Sequence, residues 1–512
     1  MGSFVLTAVL GVVRQSVIGA QFGVGADLDA YFAGNRVAET LFSLISGGAL
    51  GSAFIPVLSR YLTQNDMGNA WRLAGAVLTY VSLIAAVVSV VAAIFAVPLV
   101  SYVLSPGATL EQQALTVDLL RIMLLTVVLF CVSGLCMAIL NTQGRFFAAS
   151  LTAGMYNIGL IIGALIFSPF LGIYGLAWGA VFGAILHLTV QLPTLRRIGF
   201  RYQFIVNPHT PGLGEVLRLM LPRVIGLAAF QLNFWVNTAL TSGLSQGSLA
   251  ALSFSFTLLF TILGVVGQSV GTAVFPTLAE YHAKGDRVGY QTVISGAMRG
   301  ILFMALPASV GLALLGVPLV EVLFGRGRWT AEDSTATAWA LGFYATGLVG
   351  FALQEILARA FYARRDTWTP VIVAVGGLAV NVILSLLLLR VIQGSLPGQG
   401  SFGGLAFANA LTTTLESALL WVLLSQQMGG LGDRATLSVL LRAGFAAGVM
   451  GLAVYGVDQA LIGISAPALI RLVVGAGVGA ILYEGVAVGM GLPEARRIPM
   501  MILGRVTRRR SA

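Results

Sequence analysis

The feature that most constrains this chain is a succession of fourteen runs of about 20 or more mostly apolar residues, the length a helix needs to cross a bilayer. They lie roughly at 3–22, 29–60, 74–104, 115–141, 147–169, 172–192, 214–243, 248–279, 289–316, 334–362, 369–391, 402–426, 436–458 and 466–490. In lipid each such run must satisfy its own backbone amides, and a helix does so within the segment. Of all residues, 57% are hydrophobic and only 9% charged, against roughly 25% charged in a soluble domain. The chain therefore reads as an all-α polytopic membrane protein of about 14 transmembrane helices. The first run lacks a basic n-region, contains Arg14 and precedes no convincing cleavage site, so it reads as a spanning helix and not a signal peptide. Cys131 and Cys136 lie in an apolar run and suggest buried thiols, not a disulfide framework or metal cluster.

Charge placement orients the helices. The net charge of +10 does not call for nucleic acid, because excess Lys and Arg mark cytoplasmic loops in membrane proteins. Connections after even-numbered runs carry Arg60, Arg72, Arg145, Arg196, Arg197, Arg201, Lys284, Arg287, Arg364, Arg365 and Arg434, and the C-terminal tail adds Arg496, Arg497 and Arg505. Connections after odd-numbered runs hold Asp27, Asp29, Glu111, Glu321, Glu332 and Asp333, with Arg326 and Arg328 as exceptions. The positive-inside rule then places both termini in the cytoplasm, which requires an even number of spans.

The chain also repeats itself. AFIPVLSRYLTQND at 53–66 returns as AVFPTLAEYHAKGD at 273–286, and VPLV at 97–100 returns at 317–320, a displacement of 220. At the same offset Arg145 falls opposite Arg365. Runs 1–6 thus map onto runs 7–12 in the same orientation. The expected organisation is two parallel-repeat six-helix bundles: 1–195, a cytoplasmic linker at 196–213, and 214–430. Two extra helices at 431–492 and a basic cytoplasmic tail at 493–512 follow. Parallel repeats are one architecture of secondary transporters, whose substrate sites lie near the midplane at the repeat interface. Gly47, Gly48 and Gly51, matched by Gly264, Gly267 and Gly271, mark close packing or a bend.

Ionisable groups inside spans cost about 2.5–3.5 kcal/mol on insertion scales and usually face a partner or a cavity. Arg14 has no partner in its own helix; it fits an anionic ligand or a pairing with Asp29. Arg36 and Glu39, three residues apart, can neutralise each other or serve a substrate. Helix 7 carries Arg223, Gln231, Asn233 and Asn237 beside Trp235, a polar stripe that fits either a site or helix–helix hydrogen bonds. Glu355 and Arg359 are spaced to pair. Asn381 and Ser385 are four apart. Glu416 fits a coupling proton or cation, or a buried partner such as Arg442. His187, His209 and His282 are scattered, and no nucleophile–base pair, phosphate loop or paired catalytic carboxylates stand out, so the residues point to a transporter and not an enzyme.

GVVRQSVIGAQFG, LDAYFAG, SGGALGSAFIPVLSRY, AILNTQGRFFAASLTAGMYNIGLIIG at 138–163 and FYARRDTWTP at 361–370 resemble the MurJ/MviN family, the lipid II flippases of peptidoglycan synthesis. The resemblance implies the multidrug/oligosaccharidyl-lipid/polysaccharide exporter fold, with helices 13 and 14 forming a groove for the lipid tail. It implies a multi-pass protein of the bacterial cytoplasmic (inner) membrane that handles a lipid-linked glycan of the undecaprenyl-pyrophosphate type among membrane lipids. The cell-wall synthesis machinery is the expected protein partner. Substrate-binding candidates are Arg14, Asp29, Arg36 and Glu39. No cofactor is expected beyond a coupling ion, Na+ or H+, for which Asn237, Asn381, Ser385 and Glu416 are candidates.

Departures from the family pattern bear on this reading. Gln15 stands where the family commonly has aspartate, Ala8 where it has a further helix 1 arginine, and Phe256 and Thr257 where helix 8 carries an Asp–Arg pair. Asn237 replaces a frequent aspartate. The depleted charges leave open a flippase for another polyprenyl-linked glycan, a cation-coupled drug exporter, or a transport-inactive scaffold. Complementation of a flippase-depleted strain discriminates among them.

Overall fold

In the computed structural model, residues 2–45, 48–392 and 398–495 are described, and every regular element among them is a helix. Contacts divide the chain into two compact units: Met1–Ala250 with Arg326–Thr330, and Ala251–Gly325 with Ala331–Ala512. Each of the fourteen apolar windows coincides with a helix or helix pair. Among the described residues ten helices are long and apolar enough to cross a membrane, eleven with one pair bent by 49°. Windows 3–22 and 214–243 are helical too, though some of their side chains lie outside the described set, and window 29–60 is helical on both sides of residues 46–47, which are not described.

The first unit contains α1 (Gly2–Phe22), α2 (Ala26–Ile45), α3 (Gly48–Thr63), α4 (Met67–Ile94), α5 (Ala96–Leu99), α6 (Leu110–Thr142), α7 (Phe146–Ile162), α8 (Ser168–Leu171), α9 (Ile173–Thr189), α10 (Leu192–Arg197) and α11 (Leu213–Thr241). Helices α2, α4 and α9 surround α6, whose fully buried Leu119, Leu120, Met123 and Cys131 form much of the core. Helices α7 and α9 cross glycine on glycine, Gly159 over Gly183 and Gly163 over Gly179. With no apolar driving force between helices in lipid, such small residues let dispersion and close backbone approach hold the pair. The stretch expected as a linker, 196–213, lies in this unit as an extended strap over α4. Tyr202 Oη and Thr79 Oγ1 are 3.0 Å apart, and a Cβ on Gly75 would meet the Gln203 carbonyl at 2.7 Å. It ends at α11, which packs on α2 and α3.

The second unit contains most of α12 (Ser248–Leu263), then α13 (Ser269–Lys284), α14 (Arg287–Leu314), α15 (Gly316–Phe324), α16 (Ala331–Thr346), α17 (Leu348–Ala363), α18 (Trp368–Val391), α19 (Gly403–Met428), α20 (Asp433–Gly463) and α21 (Ala468–Gly489). The two extra helices, α20 and α21, pack on each other and on α14 and α15. Arg471 forms a two-pronged pair with Asp458, both bonds 2.9 Å, which ties the ends of α20 and α21 together. The Tyr483 hydroxyl donates to the Phe303 carbonyl of α14 at 2.7 Å. Residues 496–512, including the tail arginines, lie outside the described residues.

The duplication is visible in local geometry. Asp66 caps α4 by accepting from the Asn69 amide, and Asp286 caps α14 by accepting from the Gly289 amide. Each cap follows a left-handed residue, Asn65 and Gly285. Asn69 holds the Asp66 carboxyl below the usual carboxylate range through its side-chain and backbone N–H groups. Pro56 and Pro276 sit inside α3 and α13. A π-helical turn at Gly264–Gln268 joins α12 to α13; the corresponding stretch of the first copy includes residues 46–47, which lie outside the described residues. Gly271 makes room for the Arg359 guanidinium, whereas Gly47 and the side-chain positions of Gly48 and Gly51 lie outside the described residues.

The constant offset needs correction. Helix α6 begins at Leu110 and α16 at Ala331, an offset of 221, so one residue has entered the second copy after the VPLV match. Arg365, with φ +64°, occupies the turn position of Gly144, with φ +70°, and not that of Arg145. The 33-residue α6 also has two counterparts, α16 and α17, broken at Gly347.

Candidate functional site

The substrate-binding candidates Arg14, Asp29, Arg36 and Glu39 all lie in the first unit. The Arg14 Nη1 donates to Asn157 Oδ1 of α7 at 3.0 Å. The Arg14 Nε–H is buried and has no acceptor among the described residues. Tyr31 and Tyr156 lie within electrostatic reach of Arg14, as they do of Glu39. Asn157 had no charge to mark it in an apolar helix; its lone amide within MYNIG is the only available signal. Asp29 is not the partner of Arg14.

Arg36 and Glu39 do pair, Nη1 to Oε2 at 3.1 Å. The Arg36 guanidinium also lies 4.8 Å from the centroid of the Phe234 ring on α11, a cation–π contact. Its Nε–H is buried without an acceptor among the described residues. One and two turns along α2, Trp235 Nε1 donates to Thr40 Oγ1 at 2.8 Å and Gln231 Nε2 to Ser43 Oγ at 2.6 Å. The helix 7 stripe is thus partly consumed by helix–helix hydrogen bonds. The Arg223 side chain lies outside the described residues. Asn237 Nδ2 donates to Asn233 Oδ1 at 2.9 Å, while its own Oδ1 is buried without a partner among the described residues.

Asp29 is buried and accepts two backbone N–H groups, Gly247 at 2.6 Å and Ala250 at 2.8 Å. These N–H groups sit at the start of α12, where an anion is favoured by unpaired donors and the helix dipole. A cavity of about 30 Å³ lies beside this latch, lined by Asp29, Ser105, Gln112, Thr116, Thr238 and Thr241 among others. Gln15 is buried. The Ala8 side chain lies outside the described residues.

The second unit holds the other candidates. Asn381 and Ser385 of α18 are fully buried, and neither Asn381 Oδ1 and Nδ2 nor Ser385 Oγ has a hydrogen-bond partner among the described residues. Thr412 Oγ1 of α19 is likewise buried and unpartnered. Buried polar atoms are normally satisfied, and neutral oxygens of this kind suit a hard cation such as Na+. Glu416 accepts from Gln354 Nε2 of α17 at 2.5 Å, and its other oxygen fills the space above Gly377. The alternative partner Arg442 instead reaches the Met490 carbonyl at 3.5 Å. Glu355 and Arg359 pair as their spacing predicts. Phe256 stacks against Phe260 and Tyr344, so this position supplies packing and not charge.

Among the described residues no three His, Cys, Asp or Glu side chains cluster to hold a metal ion. His187 bonds with Ser133, which also accepts from Gln191.

The chain is similar to known proteins over most of its length. The family profile described as lipid II flippase MurJ matches residues 18–468. The probable lipid II flippase MurJ of Haemophilus influenzae is 31% identical over 439 residues, covering 81% of this chain and 83% of that protein. The lipid II flippase MurJ of Burkholderia cenocepacia is 29% identical over 429 residues, covering 82% and 81%. A solved lipid II flippase MurJ in an inward closed conformation shares the fold with a TM-score of 0.78 at 22% identity, over 95% of this chain and 97% of that one. An inward-facing multidrug resistance MATE transporter follows at 0.67 and 16%, over 83% and 96%. With a family profile spanning most of its length and relatives near 30% identity, this chain is a multi-pass membrane protein that belongs to the lipid II flippase MurJ family.

Proposed function

We propose that this chain translocates lipid II, a lipid-linked peptidoglycan precursor, across the bacterial cytoplasmic membrane by alternating access. The observation that carries this is the pair of arginines in spans of the first unit, Arg14 and Arg36, each with a buried Nε–H lacking an acceptor. In a low-dielectric span such a donor needs a partner, and a pyrophosphate oxygen accepts charge-assisted hydrogen bonds from guanidinium well. Arg14, positioned by Asn157, and Arg36, positioned by Glu39 and Phe234, hold the anionic headgroup. Glu39 releases Arg36 when the stronger anion arrives. Asp29, bonded to the start of α12, serves as a gate that closes when those N–H groups dock on it.

The same reading comprises fourteen spans with both termini in the cytoplasm, repeats divided at 196–213, and a tail track on α20 and α21. It involves no catalytic step. A coupling Na+ would be held by Asn381 and Ser385 oxygens of the second unit; Asn237 of the first unit is a separate candidate, and Glu416 is the candidate for H+. The cation would supply energy for resetting the transporter. The cell-wall synthesis machinery would be its protein partner.

The test is flipping of lipid II in cells depleted of their own flippase. Wild-type chain restores it. Arg14→Ala and Arg36→Ala variants, expressed at equal level, do not; translocation by both at the unmutated rate would sink the proposal.

A further inference from the structure

Helix α20 carries a polar stripe that the reading above leaves unused. Arg434, Ser438 and Arg442 are spaced four residues apart on one face and, with Leu437 and Leu441, line a surface cavity of about 350 Å³. Among the described residues no carboxylate pairs with either arginine. Adjacent Asp433 is engaged by Trp421 and Ser425, and Arg442 has only the 3.5 Å contact with the Met490 carbonyl.

The surroundings identify the face as lipid-facing. Leu441 is 66% exposed, Phe445 60% and Leu452 77%, and they continue the stripe along the helix. The 31 residues of α20 span about 46 Å, some 16 Å more than a hydrocarbon core of about 30 Å. With equal overhang at both ends, Arg442, about 14 Å from the helix start, lies about 6 Å inside that core. A guanidinium there must reach back to the interface and find an anion. Arg434, at the first turn, stands at that interface.

We infer that Arg434, Ser438 and Arg442 form a loading site for the pyrophosphate of the lipid-linked substrate, distinct from Arg14 and Arg36, with the polyprenyl tail laid along Leu441, Phe445 and Leu452. This rests on the proposed function. Charge selects the occupant: two guanidinium groups and a hydroxyl match the about two negative charges of a pyrophosphate diester better than the single charge of a phospholipid phosphate. The site captures substrate from the membrane and raises its local concentration; it takes no part in the crossing itself.

The experiment measures lipid II flipping against lipid II concentration in proteoliposomes of phosphatidylcholine alone and with phosphatidylglycerol. For Arg434→Gln/Arg442→Gln the half-maximal concentration rises roughly tenfold while the maximal rate stays within about twofold of wild type, the signature of lost ground-state binding. Arg434→Lys/Arg442→Lys recovers most of the loss. Undecaprenyl pyrophosphate competes with wild-type loading, and the uncharged undecaprenol does not. An unchanged half-maximal concentration overturns the inference. So does a difference between wild type and the Gln variant that appears only with phosphatidylglycerol, because the occupant would then be phospholipid. The proposed function fails separately, through absence of wild-type flipping or through Arg14→Ala and Arg36→Ala variants that both flip at the unmutated rate. Both arginines are exposed; an unchanged melting temperature checks the fold, and direct binding of undecaprenyl pyrophosphate provides a readout independent of turnover.

Discussion

The start of α2 and the start of α12 occupy equivalent places in the two copies, yet they have diverged in opposite directions. Asp29, Arg36 and Glu39 of α2 correspond to Leu249, Phe256 and Leu259 of α12 at the shared offset. In the first copy the residues form a carboxylate latch, an ion pair and a cation–π contact. In the second, Phe256 is part of an aromatic cluster and Leu259 is fully buried. The backbone features that both copies need, the Asp caps and the prolines, have been kept. Duplication preserved what folds the helices and left one copy without the charged residues of the other.

That contrast predicts graded consequences. The largest is on transport: Arg14→Ala or Arg36→Ala lowers lipid II flipping by about 100-fold, the loss of a charge-assisted contact, whereas Phe256→Leu leaves it within about twofold. Equal losses in both copies, read in the depleted-cell assay, would break the comparison. Next, Asp29→Ala removes the acceptor of two N–H groups, and flipping falls about tenfold, the equivalent of about 1.4 kcal/mol, because water that enters in place of the carboxylate takes over part of the about 1.5–3 kcal/mol that each bond contributes. Leu249→Ala, its counterpart, leaves the rate near wild type in the same assay.

A third effect acts on stability in both copies. Gly159→Ala drives a methyl into the Gly183 backbone, and Gly347→Ala one into Ala410 of α19. Overpacking of about 1–3 kcal/mol outweighs the roughly 1 kcal/mol that alanine ordinarily gains in a helix. Both variants melt lower in detergent. The smallest effect concerns the caps. Asp66→Ala and Asp286→Ala lower the melting temperature by similar small amounts. The Asp66 contribution is also pH-dependent: its folded carboxyl is held below the unfolded value, so its stabilisation is present above that ordinary value and lost as pH falls through the lowered one. The melting difference between wild type and Asp66→Ala should therefore shrink in acid.

Much of the fold was legible in the residues because bilayer physics is severe. Apolar run length located the helices, and a three-residue spacing disclosed the Arg36–Glu39 pair. The offset exposed the duplication, though not the extra residue that moves Arg365 onto the Gly144 position. The partners of Asp29 were hidden, since backbone N–H groups exist at every non-proline residue and leave no mark. Arg14 was visible and Asn157 was not, for a single amide in an apolar helix has many structural uses. From the residues alone Glu416 fits a coupling proton or cation, or a buried partner such as Arg442. The packing of α17 against α19 gives it Gln354 instead.

Arg326–Thr330 belong by sequence to the second copy and by contact to the first unit, where the Arg328 amide donates to the Ala20 carbonyl at 2.7 Å and Gly327 sits so close that a side chain would strike that carbonyl. Neither half of the gene product is therefore self-sufficient. A severed N-terminal half would lack five residues that finish the end of α1, and co-expressed fragments would have to supply them in trans. What began as two tandem copies has become one inseparable polypeptide, held so by a clasp no longer than a turn.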